Sequence, residues 1–288
     1  MKDRTKLSRF LISWLVAMLL FTAPAFAQDT NFYVFLCFGQ SNMEGAAAIE
    51  EQDRTVDERF QVLAAVDAPN LNRTKGNWYP AVPPLARGNT RLGPADYFGR
   101  TMVSNLPAPI RVGVVNVSVA GCKIELFDKD HYQDYAATAP NWMTNIIRAY
   151  GGNPYERLVE MGRLAQKDGV IKGILLHQGE SNTNDKEWPA KVKKVYDNLL
   201  SDLNLEPNSV PLLAGEVVHA DQKGACASMN AIIATLPQTI PSARVVSSSG
   251  CAALPDRLHF SPEGYRELGR RYATNMLAIL GVGTSASK

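Results

Sequence analysis

The sequence lacks a surplus of charge of either sign. Its 288 residues carry a net charge of only +2. Residues 1–27 hold four basic residues and one acidic residue, so the remaining chain has a net charge of about −1. A nearly neutral chain without basic clusters has no electrostatic footprint for nucleic acid. We therefore expect no nucleic-acid partner.

An apolar run long enough to cross a membrane is also missing from the N-terminal segment. The run at 10–21 has twelve residues, too few for a spanning helix. It follows several basic residues and precedes Ala25-Phe26-Ala27, a small-x-small cleavage site. This pattern predicts a secretory signal peptide over 1–27. No cysteine follows the cleavage point, so we expect export to a periplasm or beyond, without a membrane anchor.

Cysteine is scarce, with four residues in the chain. No cysteine spacing resembles a zinc site, and we predict no metal or other cofactor. Cys37 falls inside an apolar run, where a small buried side chain is expected. Cys226 and Cys251 are the pair that we expect to form a disulfide, although four cysteines allow three pairings.

Strand and helix patterns alternate along the rest of the chain. Apolar runs predict strands at 32–37, 111–117, 170–176, 210–216 and 243–247. Helical patterns occupy 94–105, 155–167, 186–203, 226–236 and a final stretch that begins at Pro262 after Ser261. This alternation predicts an α/β fold, a three-layer αβα sandwich with a five-stranded, mostly parallel, flavodoxin-like sheet. We expect one domain over 28–283 and a flexible tail over 284–288.

Two long segments, 46–93 and 122–153, interrupt this alternation, and we predict that both are irregular. Loops of this length in a compact domain are usually functional or disordered. Several aromatic residues lie in them: Trp78, Tyr79, Tyr132, Tyr135 and Trp142. These side chains could stack on sugar rings or anchor the loops on the core, and the sequence leaves both interpretations open.

Ser41 follows the first predicted strand, between Gly39 and Gly45. Ligands of open α/β sheets bind beyond the carboxyl ends of the strands, which is where this serine lies. Glycines there allow a sharp turn and the close approach of a substrate. The alternative is that Ser41 only caps a short helix.

A serine nucleophile needs a base and a group that orients the base. His259 lies just before the last helix, and Asp256 precedes it by three residues. That spacing lets the carboxylate reach Nδ1 while Nε2 faces outward. The other histidines compete less well for this role: His131, His177 and His219.

Donors for an oxyanion can also be placed at strand ends. The backbone N–H of Ser41 is one, and the N–H of Gly121 follows the second predicted strand. Gln178 follows the third predicted strand, and its amide could supply a further N–H. Because these positions all follow parallel strands, we expect them to converge, which favours a catalytic Ser41.

The motifs together resemble those of the SGNH (GDSL-type) hydrolase superfamily. The similarity rests on four stretches: Gly39-Gln40-Ser41-Asn42-Met43, the Gly121 loop, His177-Gln178-Gly179-Glu180-Ser181 and Asp256-Arg257-Leu258-His259-Phe260. Within the superfamily, the chain resembles the sialate O-acetylesterase-like branch, which is grouped with acetylxylan esterases as carbohydrate esterase family six. The resemblance implies metal-free hydrolysis of acetyl esters on sugars.

The resemblance also implies roles for single residues. Ser41 matches the nucleophile, His259 the base, Asp256 the acid and Gly121 an oxyanion donor. Gln178-Gly179-Glu180 replaces the Gly-x-Asn of the superfamily, as in the branch as a whole. Glu180 could orient His259 in place of Asp256 or alongside it, or could contact the substrate. Two neighbours of the nucleophile, Gln40 and Asn42, are expected to support the turn or the 178–180 loop.

The sequence thus predicts a secreted serine esterase that removes O-acetyl groups from carbohydrate, with acetylated polysaccharide such as xylan favoured. The alternatives are a sialate O-acetylesterase and a lipase-like or thioester hydrolase of the same fold. Outside enzymes, a non-catalytic carbohydrate-binding module is the competing interpretation. The predicted partner is an acetylated carbohydrate, and the sequence makes no prediction of oligomeric state.

Overall fold

The computed structural model describes residues 28–206 and 209–283. Within these ranges seven strands form a single sheet. The strands are β1 (Asp29–Gly39), β2 (Phe60–Leu63), β3 (Trp78–Pro80), β4 (Arg111–Ser118), β5 (Gly169–His177), β6 (Leu212–Gly215) and β7 (Arg244–Val246). The predicted signal peptide over 1–27 and the predicted tail over 284–288 lie outside the described residues.

The strand order across the sheet is β3-β2-β4-β1-β5-β6-β7. Every neighbouring pair is parallel except β2 with β3. The five strands expected from the sequence follow the order second, first, third, fourth, fifth, which is the flavodoxin-like arrangement. The α/β prediction is confirmed, but the predicted strand count is wrong because β2 and β3 extend the sheet beyond β4.

Helices cover both faces of the sheet in the described chain. They are α1 (Ser41–Glu44), α2 (Pro94–Asn105), α3 (Tyr132–Ala137), α4 (Asn141–Ala149), α5 (Pro154–Asp168), α6 (Trp188–Asp202), α7 (Met229–Ile233), α8 (Leu236–Thr239) and α9 (Pro262–Ile279). Leu36 of β1 packs into the cluster on the α5 and α6 side, whereas Phe35 packs against α2 and α9. None of the described helices has the length and apolarity of a membrane span.

The helix boundaries follow local sequence signals. Ser261 accepts a hydrogen bond from the Gly264 N–H through Oγ at 3.2 Å, and Pro262 occupies the first turn of α9 as predicted. The helix predicted over 226–236 is instead two short helices, α7 and α8. Pro237 lies in the first turn of α8, and a proline there cannot continue a preceding helix because it lacks the N–H donor.

The prediction that 46–93 and 122–153 are irregular is wrong. The first segment contains β2 and β3, and the second contains α3 and α4. Trp78 of β3 donates from Nε1 to Asp168 at 2.9 Å and packs edge-on against Phe32. The Tyr135 hydroxyl accepts a hydrogen bond from the Lys123 N–H at 3.0 Å. Trp78 and Tyr135 therefore anchor these segments on the core.

The predicted disulfide between Cys226 and Cys251 is not formed. All four cysteines are free thiols. Cys226 packs against the apolar cluster on the α5 and α6 side of the sheet. Cys251 belongs to the cluster on the α2 and α9 side, so the two thiols pack into different apolar clusters. The spacing of cysteines along the sequence does not show which apolar cluster each cysteine joins.

A buried ion cluster ties α9 to the segment before β2. Arg266 donates to both carboxylate oxygens of Asp53, at 3.0 and 2.8 Å, and to Glu50 at 2.6 Å. The Asp53 side chain is fully buried. Hydrogen bonds from Arg266 and from the Glu50 N–H outweigh the effect of burial and hold the pKa of Asp53 below its ordinary value. Asp53 therefore stays ionised and depends on Arg266.

Replacing Arg266 by methionine is expected to lower the free energy of unfolding by about 3 to 5 kcal/mol, because it strands a buried carboxylate. Urea denaturation at pH 7 measures the change. Arg270→Met is the matched control, since Arg270 lies on the same helix and pairs with Glu267 in an exposed position. The control should lose no more than about 1 kcal/mol. Equal losses of unfolding free energy in the two variants would show that the buried cluster stabilises the fold no more than an exposed ion pair does.

Candidate active site

Ser41 stands at the turn between β1 and α1. Gly39 ends β1 with φ of +148°, and a Cβ placed there would lie 2.1 Å from the His177 carbonyl oxygen. Only glycine therefore lets β1 run so close to the end of β5. Gln40 continues this contact, because its N–H donates to the same carbonyl at 3.0 Å. The turn points Ser41 beyond the carboxyl edge of the sheet.

The structure brings the three residues predicted for acyl transfer into one hydrogen-bonded chain. His259 Nε2 lies 2.9 Å from Ser41 Oγ, and His259 Nδ1 lies 2.7 Å from Asp256 Oδ2. Asp256 Oδ1 also accepts the backbone N–H groups of Leu258 and His259, at 2.9 and 3.0 Å. The carboxylate thus fixes the loop that carries the imidazole as well as the imidazole itself.

The charge state of Asp256 sets the tautomer of His259. Burial acts to raise the pKa of Asp256, but hydrogen bonds from the His259 ring and from two backbone N–H groups outweigh burial and lower it. An ionised carboxylate can only accept, so His259 Nδ1 carries the proton. The Nε2 lone pair therefore faces Ser41 Oγ, which is the arrangement that a general base requires.

The residues that carry the two predicted backbone donors, Ser41 and Gly121, line the same pocket. Ser41 and Gly121 line a pocket of about 320 Å³ together with Trp142 and His259. Within the described chain, the N–H groups of Ser41 and Gly121 donate no hydrogen bond. Gly121 has φ of +68°, and Ser181 Oγ donates to its carbonyl oxygen at 2.9 Å. Both N–H groups are therefore free to bind an oxygen atom in the pocket.

The structure contradicts the expectation that the Gln178 amide serves as an oxyanion donor. Its side chain is buried away from the pocket, and Nε2 donates to Gln40, Asn182 and the Cys122 carbonyl at 2.7 to 3.2 Å. Its Oε1 accepts from Trp188 Nε1. Because every polar atom of the amide is occupied, Gln178 links the strand-end loops and cannot reach a ligand.

Gln40 and Asn42 hold the loops around Ser41 in place. Gln40 Oε1 accepts from Gln178 and from the Ser181 N–H at 3.1 and 3.2 Å. Asn42 Nδ2 donates to Glu180 at 2.5 Å and to the Leu258 carbonyl at 3.0 Å. The neighbours of Ser41 thus connect its turn to the 178–181 loop and to the loop that carries His259.

Glu180, the other candidate acid, lies in a different position from Asp256. Its carboxyl group is buried, and within the described residues it forms no hydrogen bond to His259. Burial raises the pKa of Glu180, although the hydrogen bond from Asn42 opposes this shift. A carboxyl group that tends to be neutral stabilises an imidazolium less than the ionised Asp256 does. The geometry therefore favours Asp256 as the partner of His259.

His177 is a buried neutral histidine behind the site. Its Nδ1 lies 3.2 Å from the Tyr272 hydroxyl oxygen, and that hydroxyl donates to the Leu176 carbonyl at 2.7 Å. Nδ1–H is therefore the donor of the pair, and Nε2 carries the lone pair, 3.8 Å from Glu180. Burial lowers the pKa of His177 to about 3. His177 supports the end of β5 and does not reach Ser41.

This burial predicts a pH dependence of stability. The unfolded chain protonates His177 below about pH 6.5, whereas the folded chain does so only near pH 3, so stability is lost as pH falls through this window. Between pH 7.5 and pH 4.5 His177 should contribute a loss of about 2 to 3 kcal/mol. Urea unfolding of His177→Gln should show a pH dependence weaker by that amount. The exposed His131→Gln should keep the wild-type dependence, and an equal change in both would contradict the assignment.

Sequence reasoning missed a buried ion pair beneath the Gly121 loop. Arg87 Nη1 lies 2.5 Å from Glu44 Oε1, and the same oxygen accepts the Ala120 N–H at 3.3 Å. Arg87 Nη1 also donates to the Ser118 carbonyl at 3.0 Å. The pair thus supports both ends of the turn that presents Gly121. Glu44 lies close to Ser41 in sequence, but no local pattern identifies Arg87 as its partner.

The described residues contain no group of three or more His, Cys, Asp or Glu side chains placed to hold a metal ion. A flavodoxin-like sheet with a hydrogen-bonded Ser41, His259 and Asp256 at its carboxyl edge is the arrangement expected of an ester hydrolase with the SGNH fold. The protein-family model for carbohydrate esterases described as sialic acid-specific acetylesterases matches residues 31–278. The chain belongs to this family, and it is a carboxylic ester hydrolase.

Solved structures share this fold. A protein from Arabidopsis thaliana superposes with a TM-score of 0.65 at 21% identity, covering 85% of this chain and 98% of its own. NanS superposes with a TM-score of 0.61 at 17% identity, covering 87% and 98%. A carbohydrate acetylesterase from Xanthomonas citri gives 0.60 at 16% identity, covering 85% of this chain and 56% of its own.

Proposed function

We propose that this esterase removes O-acetyl groups from carbohydrate through an acyl-enzyme intermediate on Ser41. The observation that carries the proposal is the chain from Ser41 Oγ to His259 and on to Asp256, with links of 2.9 and 2.7 Å. Its serine end opens into a pocket of about 320 Å³. A nucleophile, an oriented base and free N–H donors in one pocket are the parts that acyl transfer requires.

The reaction proceeds in two steps. His259 Nε2 takes the proton of Ser41 Oγ, and Oγ attacks the acetyl carbonyl carbon. The oxyanion forms beside the N–H groups of Ser41 and Gly121, and Asp256 stabilises the imidazolium. His259 then protonates the sugar oxygen as the ester bond breaks. In the second step His259 activates water, which attacks the acetyl group on Ser41 and releases acetate.

The charge of the pocket favours a neutral sugar. Among the described residues that line the Ser41 pocket there is no lysine or arginine, and Glu180 is its one carboxyl group. An anionic sugar such as sialic acid would bring a carboxylate without a cation to pair with it, and such a group is costly to desolvate. An acetylated neutral polysaccharide such as xylan is therefore the substrate that we favour.

Sialate O-acetyl ester hydrolysis is the second candidate. The description of the matched family favours it, since that description names sialic acid-specific acetylesterases. A lipase-like or thioester hydrolase activity has less support, because the matched family is one of carbohydrate esterases. The hydrogen-bonded serine, histidine and aspartate weigh against a binding module without catalysis.

Acetate release separates these candidates. The purified enzyme is incubated with acetylated xylan, acetylated mannan and O-acetyl sialic acid at equal acetyl concentration, and deacetylated xylan serves as the blank. We expect the neutral polysaccharides to be hydrolysed at least about tenfold faster than the sialate ester. A preference for O-acetyl sialic acid would establish the second candidate. Absence of acetate release from all three would refute carbohydrate deacetylation.

The same proposal includes export of the enzyme. It rests on the signal-peptide pattern over 1–27, with Gln28 expected as the mature N-terminus. Expression of the full chain in a bacterium with a secretory pathway, followed by mass determination of the protein outside the cytoplasm, tests it. A protein that stays in the cytoplasm with residues 1–27 attached would exclude export.

A further inference from the structure

A second groove lies next to the Ser41 pocket. It encloses about 730 Å³, and its lining includes Asp67, Arg87, Asn89, Trp142 and Asn145. They come from the segment after β2, from the segment before α2 and from α4. All three belong to the two interruptions of the α/β alternation, 46–93 and 122–153, so the groove is an addition to the common sheet and helix framework.

Trp142 connects the groove to the chemistry. Its side chain lines both the second groove and the Ser41 pocket. A Cβ placed on Gly121 would lie 2.6 Å from the Trp142 ring, so the indole stands directly beside the predicted oxyanion donor. Trp142 is nevertheless 53% exposed. An exposed indole that lines two neighbouring cavities is a suitable surface for stacking a ligand ring.

The groove combines apolar side chains with polar groups, and Asp67 is the one charged side chain of its described lining that forms no ion pair. Arg87 is 8% exposed and is already paired with Glu44 at 2.5 Å. Asp67 accepts the Lys75 N–H at 2.8 Å through Oδ1. The amides of Asn89 and Asn145 are exposed on the groove and can both donate and accept hydrogen bonds. Such a lining matches the hydroxyl groups of a neutral sugar better than a charged or a purely apolar ligand.

We propose that this groove binds the sugar units next to the acetylated one, with one ring stacked on Trp142. The inference rests on the proposed carbohydrate esterase function and narrows it to acetylated oligosaccharides and polysaccharides. The Ser41 pocket of about 320 Å³ holds the acetylated unit, and the groove of about 730 Å³ holds neutral units further along the chain. Both volumes are of the size that ligand sites in proteins usually have.

The test compares substrates of different length. Values of kcat/KM are measured for acetylated xylotetraose and for acetylated xylose, and 4-nitrophenyl acetate reports on the chemistry alone. A stacked ring and its hydrogen bonds contribute about 1 to 2 kcal/mol, so the tetraose should exceed the monosaccharide by about five- to thirtyfold. A ratio near one with active enzyme would overturn the groove proposal and leave the esterase function standing. No hydrolysis of either sugar, with the nitrophenyl ester still cleaved, would overturn both.

Variants locate the effect in the groove. Trp142→Ala should reduce the ratio between tetraose and monosaccharide to about one or two, whereas Trp142→Tyr should keep most of it because an aromatic ring remains. Asn145→Ala should reduce the ratio about two- to fivefold. Lys167→Ala is the control, since Lys167 lines a separate groove beside α5. Because a ratio is read, any general loss of activity cancels. An unchanged ratio in Trp142→Ala would refute the stacking role, as would an equal loss in Lys167→Ala.

Discussion

Replacing Ser41 with alanine is expected to lower kcat for acetyl ester hydrolysis by about five to six orders of magnitude. The change removes the atom on which we propose that the acyl enzyme forms, while His259 and Asp256 stay in position. The side chain of Ser41 is partly exposed and contributes one hydrogen bond, to His259. The free energy of unfolding should therefore change by less than about 1 kcal/mol.

Acetate release and the burst of 4-nitrophenol from a small acetyl ester measure the activity, and urea denaturation measures stability. Ser181→Ala is the matched control, because Ser181 also lines the pocket but donates its hydroxyl to the Gly121 carbonyl. It should retain a burst, with a reduced rate. A folded Ser41→Ala enzyme that still shows a burst would remove Ser41 from the mechanism.

Replacing Asp256 with asparagine should reduce kcat by about four orders of magnitude. Asparagine keeps the size of the side chain but cannot stabilise the imidazolium with a charge, and its amide favours the wrong tautomer of His259. The two backbone N–H groups that Asp256 Oδ1 accepts can still be bound by an asparagine oxygen. The loop should therefore keep its shape, and the reduction in kcat should come from the chemical step.

Glu180→Gln is the companion variant and should lose no more than about tenfold. Burial raises the pKa of Glu180, so a neutral amide resembles the carboxyl group that it replaces. Its oxygen can still accept the hydrogen bond from Asn42. If Glu180→Gln loses several orders of magnitude and Asp256→Asn does not, then Glu180 is the acid that serves His259.

Much of the architecture could be predicted because it depends on local patterns. The five stretches predicted as strands are neighbouring parallel strands of the sheet in the flavodoxin-like order, and Ser261 and Pro262 mark the start of α9 correctly. The two short strands β2 and β3 were missed because both lie inside the long segment 46–93, where no helical pattern separates one strand from the next. Their place in the sheet depends on pairing with β4 and with each other, which only the folded chain reveals.

The site was less predictable because its contacts join distant residues. Ser41 and His259 are 218 positions apart, and they could be paired in advance only because both follow parallel strands. The position of Gln178 after a parallel strand also led to the wrong prediction that its amide faces the pocket. The strand pattern places a residue at the edge of the sheet, but it does not determine the direction of the side chain. The ion pair between Arg87 and Glu44 was not predicted, because no local sequence pattern identifies Arg87 as the partner of Glu44.

The central position of β1 has a consequence for the newly made chain. This strand is synthesised before the other strands, yet both of its neighbours, β4 and β5, come much later, ending at Ser118 and His177. One backbone edge of β1 lacks its native partner until β4 has been made, and the other lacks it until β5 has been made. Unpaired edges and exposed apolar side chains promote aggregation. A chain that ends before residue 169 should therefore aggregate unless a chaperone binds it.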